Sequence, residues 1–185
     1  IDAIEHGNLQ VVELLLNQGV PVESAKESGR TLLILACHYQ QLEIVQLLIE
    51  RGADVNKLSG DNYTPLAEAA EHGLLSAVEL LVHHGADVNR MAYNEHTPLM
   101  LAAEHGHTEI ARFLLARGAD RKTLAHNVWT AYDHAMLGGH EDIAALIGAE
   151  HAGTYTGEFN DGFNRGSEHG HSFSGNRNSN SNTEN

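Results

Sequence analysis

"TPLAEAAEHG" (Thr64–Gly73) returns as "TPLMLAAEHG" (Thr97–Gly106), and the distance between the two copies decides the fold. "TLLILACHYQ" opens at Thr31 and "TAYDHAMLGG" at Thr130, so four threonines stand 33 residues apart. "ERGADVN", "HHGADVN" and "ARGADRK" set Gly52, Gly85 and Gly118 at the same interval. The opening segment joins the frame through Ala3, Gly7 and Gly19, without a threonine start. A fixed period of this length is the mark of a stacked repeat solenoid, in which each unit buries its apolar face against its neighbours.

One unit can be read residue by residue. Thr64 suits a helix N-cap, and Pro65 suits the first turn, where a missing N–H costs nothing. Leu66, Ala69 and Ala70 form a narrow apolar face at helical spacing, with alanine where a neighbouring helix comes close. Gly73 suits a left-handed helix stop. A second helix carries Val78, Leu80, Leu81 and Val82 and stops at Gly85. "ADVN" then leads through a turn to the next threonine. Each unit is expected to be helix, turn, helix and an extended hairpin.

T-P-L, A-A-x-x-G and L-L-x-x-G-A-D-V-N in this register resemble the ankyrin repeat family over about Asp2 to Ile147. The resemblance implies an all-α repeat solenoid of helix-turn-helix units with β-hairpins, stacked in a curve. It divides residues 1–150 into a truncated first unit (1–27), three full units (28–60, 61–93 and 94–126) and a C-terminal capping unit (127–150). It further implies that the first helices line an exposed concave side that binds proteins. Asn56 and Asn89 match the "DVN" asparagine that is hydroxylated in some members. The chain departs from the pattern at several places. Ile34, Ala67, Met100 and Asp133 stand where the family often has histidine after T-P-L, and Cys37 stands where alanine is usual. Cys37 is read as a small buried apolar residue.

Residues 151–185 are rich in Gly, Asn, Ser and His without apolar periodicity, which predicts a disordered tail. The net charge is −14, and the tail carries only four acids and two bases of it. Such a surface repels phosphates and anionic lipids, so no nucleic-acid partner is expected and a basic or Arg-bearing protein segment fits better. No apolar run reaches the ~20 residues of a membrane span. One cysteine permits no intrachain disulfide and fits a reducing compartment, the cytoplasm. The chain is expected to be monomeric.

Catalytic signatures are missing from the sequence: no G-x-S-x-G, no phosphate loop, no H-E-x-x-H and no cysteine pair for zinc. No enzyme activity, cofactor or metal site is expected. The recurring Glu5-His6, Glu71-His72 and Glu104-His105 close the first helices, where an imidazolium meets the negative end of the helix dipole. His107 and His140, after the glycine, are expected to support the turn. A metal at these pairs would find one imidazole per layer, too few for zinc.

Taken in register, the expected partner-binding residues form rows. Glu5, His38, Glu71 and Glu104 make one; His6, Tyr39, His72 and His105 the next; Leu35, Glu68 and Leu101 a third. Tyr63, Met91, Tyr93 and Trp129 mark the hairpin tips, as interface anchors or, for Tyr63 and Trp129, as packing between hairpins. The reading is a non-catalytic protein-binding module whose acidic groove weakens as its histidines protonate. The alternative is a regulatory or targeting domain of an enzyme whose catalytic part lies N-terminal to Ile1.

Overall fold

The computed structural model describes residues 1–148. The expected tail, 151–185, and the last two residues of the expected capping unit lie outside the described residues.

Helices come in pairs: α1 (Asp2–Glu5) and α2 (Leu9–Asn17), α3 (Leu32–His38) and α4 (Leu42–Glu50), α5 (Pro65–Glu71) and α6 (Leu75–His83). Then come α7 (Pro98–Glu104) and α8 (Thr108–Ala116), and α9 (Ala131–Leu137) and α10 (Glu141–Gly148). First helices begin 33 residues apart from α3 onward, and first helices stack on first helices as second helices stack on second. The chain is an all-α repeat solenoid.

The threonine starts work as caps. Thr31, Thr64, Thr97 and Thr130 each accept the N–H three residues on, at Ile34, Ala67, Met100 and Asp133. The place that lacks the family's histidine is used in two units to reach back. Asp133 accepts the Thr130 N–H at 2.8 Å, and the Met100 sulfur stands 3.4 Å from the Thr97 nitrogen. The narrow face is buried as its alanines require: Leu66, Ala69 and Ala70 are at most 1 % exposed. Cys37 is fully buried among them, and burial pushes its thiol far above the ordinary range.

The extended hairpins expected between units are reduced. Each connection keeps a cross-turn backbone bond, Lys26 N–H to Arg30 O, Ser59 to Tyr63, Ala92 to His96 and Ala125 to Trp129, at 2.8–3.0 Å, and the first and last add a second, Leu32 N–H to Ser24 O and Trp129 N–H to Ala125 O. Among the described residues the only bridges outside helices are Ala25–Thr31 and Ala125–Trp129. The backbone there is satisfied by side chains instead of by a ladder. Asp54, Asp87 and Asp120 each accept the N–H two residues on. Asn56 reaches into the next unit, donating to Gly85 O and accepting from Asp87 N–H, both at 2.9 Å. Asn89 repeats this with Gly118 O and Asp120 N–H.

Neighbouring units also lock through their glycine turns. His107 donates from Nε2 to Glu71 O, 2.9 Å away in the preceding unit. Its ring lies so close to Gly73 (φ +74°) that a Cβ there would sit 2.6 Å from Cε1. His140 occupies the same place against Gly106.

Candidate functional site

The "EHG" histidines close their own helices. His6, His72 and His105 each donate Nδ1–H to the carbonyl four residues back, at 2.8–3.0 Å. Each of these carbonyls already accepts the backbone N–H of the same histidine, so the ring adds a second donor at the helix C-terminus, a direct version of the expected dipole contact.

Three of the expected groove residues are not exposed. Leu35 (2 %), Glu68 (1 %) and Leu101 (5 %) are buried. This row points into the junction between units, where the turn-tip residue of the preceding unit folds over it. Arg30 covers Glu68, with Nη1 3.1 Å from Oε1, and Tyr63 packs on Leu101.

The covering follows a rule. A tip residue, the residue eight places on and the residue thirty-eight places on meet at each junction. At the first such junction Arg30, His38 and Glu68 form an ion network. His38 Nδ1 stands 2.6 Å from Glu68 Oε1, and Arg30 also donates to Asp61 at 3.0 Å. Burial opposes the Asp61 charge, but hydrogen bonds from Ser59 and Arg30 outweigh it and hold the carboxyl below its ordinary value. At the second, Tyr63, Glu71 and Leu101 pack together. Burial, with the Glu71 and Glu68 charges, pushes the Tyr63 phenol up to about 12. At the third, His96, Glu104 and His134 meet. The His96 and His134 rings lie 4.5 Å apart, centre to centre. Burial and then the His134 ring hold His96 below the ordinary imidazole value, against the pull of Glu104.

The remaining expected residues fall into groups. Glu5 is paired with Lys26, whose ammonium lies 6.0 Å over the Tyr39 ring, and that hydrogen bond holds the Glu5 carboxyl low. His38 meets Tyr39 and His72 edge-on, each at 4.9 Å. Tyr63 stacks on Tyr93 at 5.7 Å, and the Arg30 guanidinium lies 5.1 Å from the centre of the Tyr63 ring. Tyr93 (50 %) and Met91 (43 %) are exposed, whereas Trp129 is half-buried against the core. Glu71 and Glu104 are half-exposed, and neither pairs with a lysine or arginine among the described residues. Sequence reasoning missed His96 and the inward turn of His134. Its available signal was the recurrence of Arg30, Tyr63, His96 and Trp129 at 33-residue steps.

Among the described residues no helix is long and apolar enough to cross a membrane. No curated protein matches the chain. A family model described as ankyrin repeats (3 copies) matches residues 1–92, and another described as ankyrin repeats (many copies) matches residues 81–135. Domains of this kind are generally protein–protein interaction modules and typically non-catalytic. Four capped units at one interval, with asparagine rungs at two junctions and histidine contacts at two, agree with those matches: the chain belongs to the ankyrin repeat family.

Proposed function

We propose that this chain is a non-catalytic binding module for a basic or Arg-bearing protein segment, held on the turn tips and the adjoining ends of the first helices. One observation carries the reading. At the middle of the stack Glu71 keeps a half-exposed carboxylate without a basic partner among the described residues, beside a Tyr63–Tyr93 stack whose outer ring is open to solvent.

Carboxylate beside aromatic face is the chemistry that takes a guanidinium. The acid accepts its paired N–H donors and the ring accepts its flat face. The chain already makes this contact with its own residue: Arg30 stacks on Tyr63 while donating to Asp61 and Glu68. Tyr93 presents an aromatic face with no arginine over it among the described residues, Met91 is exposed as well, and exposed tyrosine and methionine are common anchors of interfaces. The net charge of −14 favours encounter with a basic partner over distances of about a Debye length.

The test is affinity capture with the full chain, compared with a Glu71→Gln/Tyr93→Ala variant and repeated at raised salt. Specific partners should be depleted at least tenfold on the variant, fade with salt, and carry Lys/Arg-rich segments at the contact. Equal recovery of every partner on both baits would remove this face from the function.

A further inference from the structure

We infer that His96, Glu104 and His134 form a binding site for a divalent transition-metal ion of the zinc class, clasping the last two described units together. The site goes beyond the protein-binding reading and stands without it.

The donor set comes from three elements. His96 is the residue before the Thr97 cap, Glu104 is the last residue of α7, and His134 lies in α9 of the following unit. One ligand atom from each, two imidazole nitrogens and a carboxylate oxygen, lie within 4.8 Å of one another. His134 Nδ1 stands 3.3 Å from Glu104 Oε2, and His96 Nδ1 stands 3.9 Å from the same oxygen. Donors bound to zinc at about 2.0–2.2 Å in a tetrahedron are about 3.3–3.6 Å apart. Small side-chain rotations close the difference. Two imidazoles and a carboxylate suit zinc and its neighbours, and the Glu104 side chain is 42 % exposed, so the fourth position opens to water or to a partner's ligand.

Burial sets His134 apart. His134 is only 7 % exposed, and its Nε2 is buried with no hydrogen-bond partner among the described residues. That orphan lies across the ring from Nδ1 and is not the atom the ion would bind; it shows that an imidazole is kept at a buried place despite its cost. Leu35 and Leu101 hold the same place in two other units and avoid that penalty.

The three junctions make the comparison sharp. At the equivalent positions Arg30 supplies a fixed cation to Glu68, which also holds His38, and Tyr63 with Leu101 supplies apolar packing beside Glu71. The His38–Glu68–His72 cluster has similar donors, but Arg30 already neutralises its carboxylate. At the third junction neither lysine nor arginine pairs with Glu104 among the described residues. A metal ion fits the place that Arg30 fills two units earlier.

Zinc is titrated into the full chain by calorimetry, with melting temperature and the ligand-field spectrum of the cobalt(II) form as further readouts. One zinc per chain should bind, raise the melting temperature by several degrees, and give the cobalt bands of a low-coordinate nitrogen/oxygen site. His134→Leu, which restores the leucine of other units, should bind at least tenfold more weakly and lose the zinc-dependent thermal shift. Glu104→Gln changes a half-exposed residue and should weaken binding too, which keeps the test decisive if the leucine variant folds poorly. A His38→Ala/His72→Ala variant and a His169→Ala/His171→Ala variant should bind as the parent does. The proposal is overturned if the parent takes up no zinc, if His134→Leu and Glu104→Gln both bind as the parent does, or if the loss follows either control pair.

Discussion

Gly73 and Gly52 both end helical segments at positive φ, +74° and +85°, yet their surroundings differ. A methyl group on Gly52 would meet nothing within 4 Å, whereas one on Gly73 would strike the His107 ring at 2.6 Å. Gly52→Ala should therefore cost about 1–2 kcal/mol for the left-handed backbone alone. Gly73→Ala should cost clearly more, because it also displaces the ring that donates to Glu71 O. Urea midpoints of the two variants separate these cases, and equal losses would show that the His107 contact contributes nothing. Asp61 gives a pH dependence at the same scale. Its folded carboxyl is held below the ordinary value of about 3.9. The stability it contributes is thus present above that value and is lost as pH falls through the lower folded one. The gap in stability between the parent and Asp61→Asn should be open at neutral pH and should narrow below about pH 4. A gap that persists unchanged in acid contradicts the assigned role.

Between helices, the unit of cohesion is the asparagine rung. Asn56 and Asn89 each spend both ends of the amide on the following unit. A hydroxylating enzyme of the kind the family resemblance suggests would have to undo both bonds to reach either residue. Replacing Asn89 by alanine removes two hydrogen bonds, and a loss of about 1–2 kcal/mol in urea or thermal unfolding is expected. Because each unit touches only its neighbours, that loss weakens one junction rather than one residue. The caps, the glycine stops and the alanine faces were legible in the sequence, since each is a local requirement of a helix end or a close approach. The hairpins were not, because side-chain acceptors take over their backbone bonds, and no strand alternation records that. The third row of the groove was misread for a related reason. Leu35, Glu68, Leu101 and His134 sit on first helices, and their burial depends on a tip residue thirty-eight positions earlier. Repeat period makes equal positions visible; it does not show which unequal positions meet.

Across the stack, flanking decides exposure. Leu47 on α4 is 9 % exposed, with α2 and α6 on either side, whereas Leu14, one period earlier on α2, is 56 % exposed. The polar surface divides in the same way. Arg30 and Lys26 answer the acids near the beginning of the stack, and Glu71 and Glu104 further along have no such answer among the described residues. On the proposed reading that asymmetry favours the middle turn tips for the partner, with the proposed His96–Glu104–His134 site at their border. Hydrogen exchange of the full chain, free and bound to a captured partner, measures the placement directly. The account predicts new protection at residues 59–63 and 91–96 and at the C-terminal ends of α5 and α7. Protection confined to α4, α6 and α8, with the turn tips exchanging as in the free chain, would contradict it.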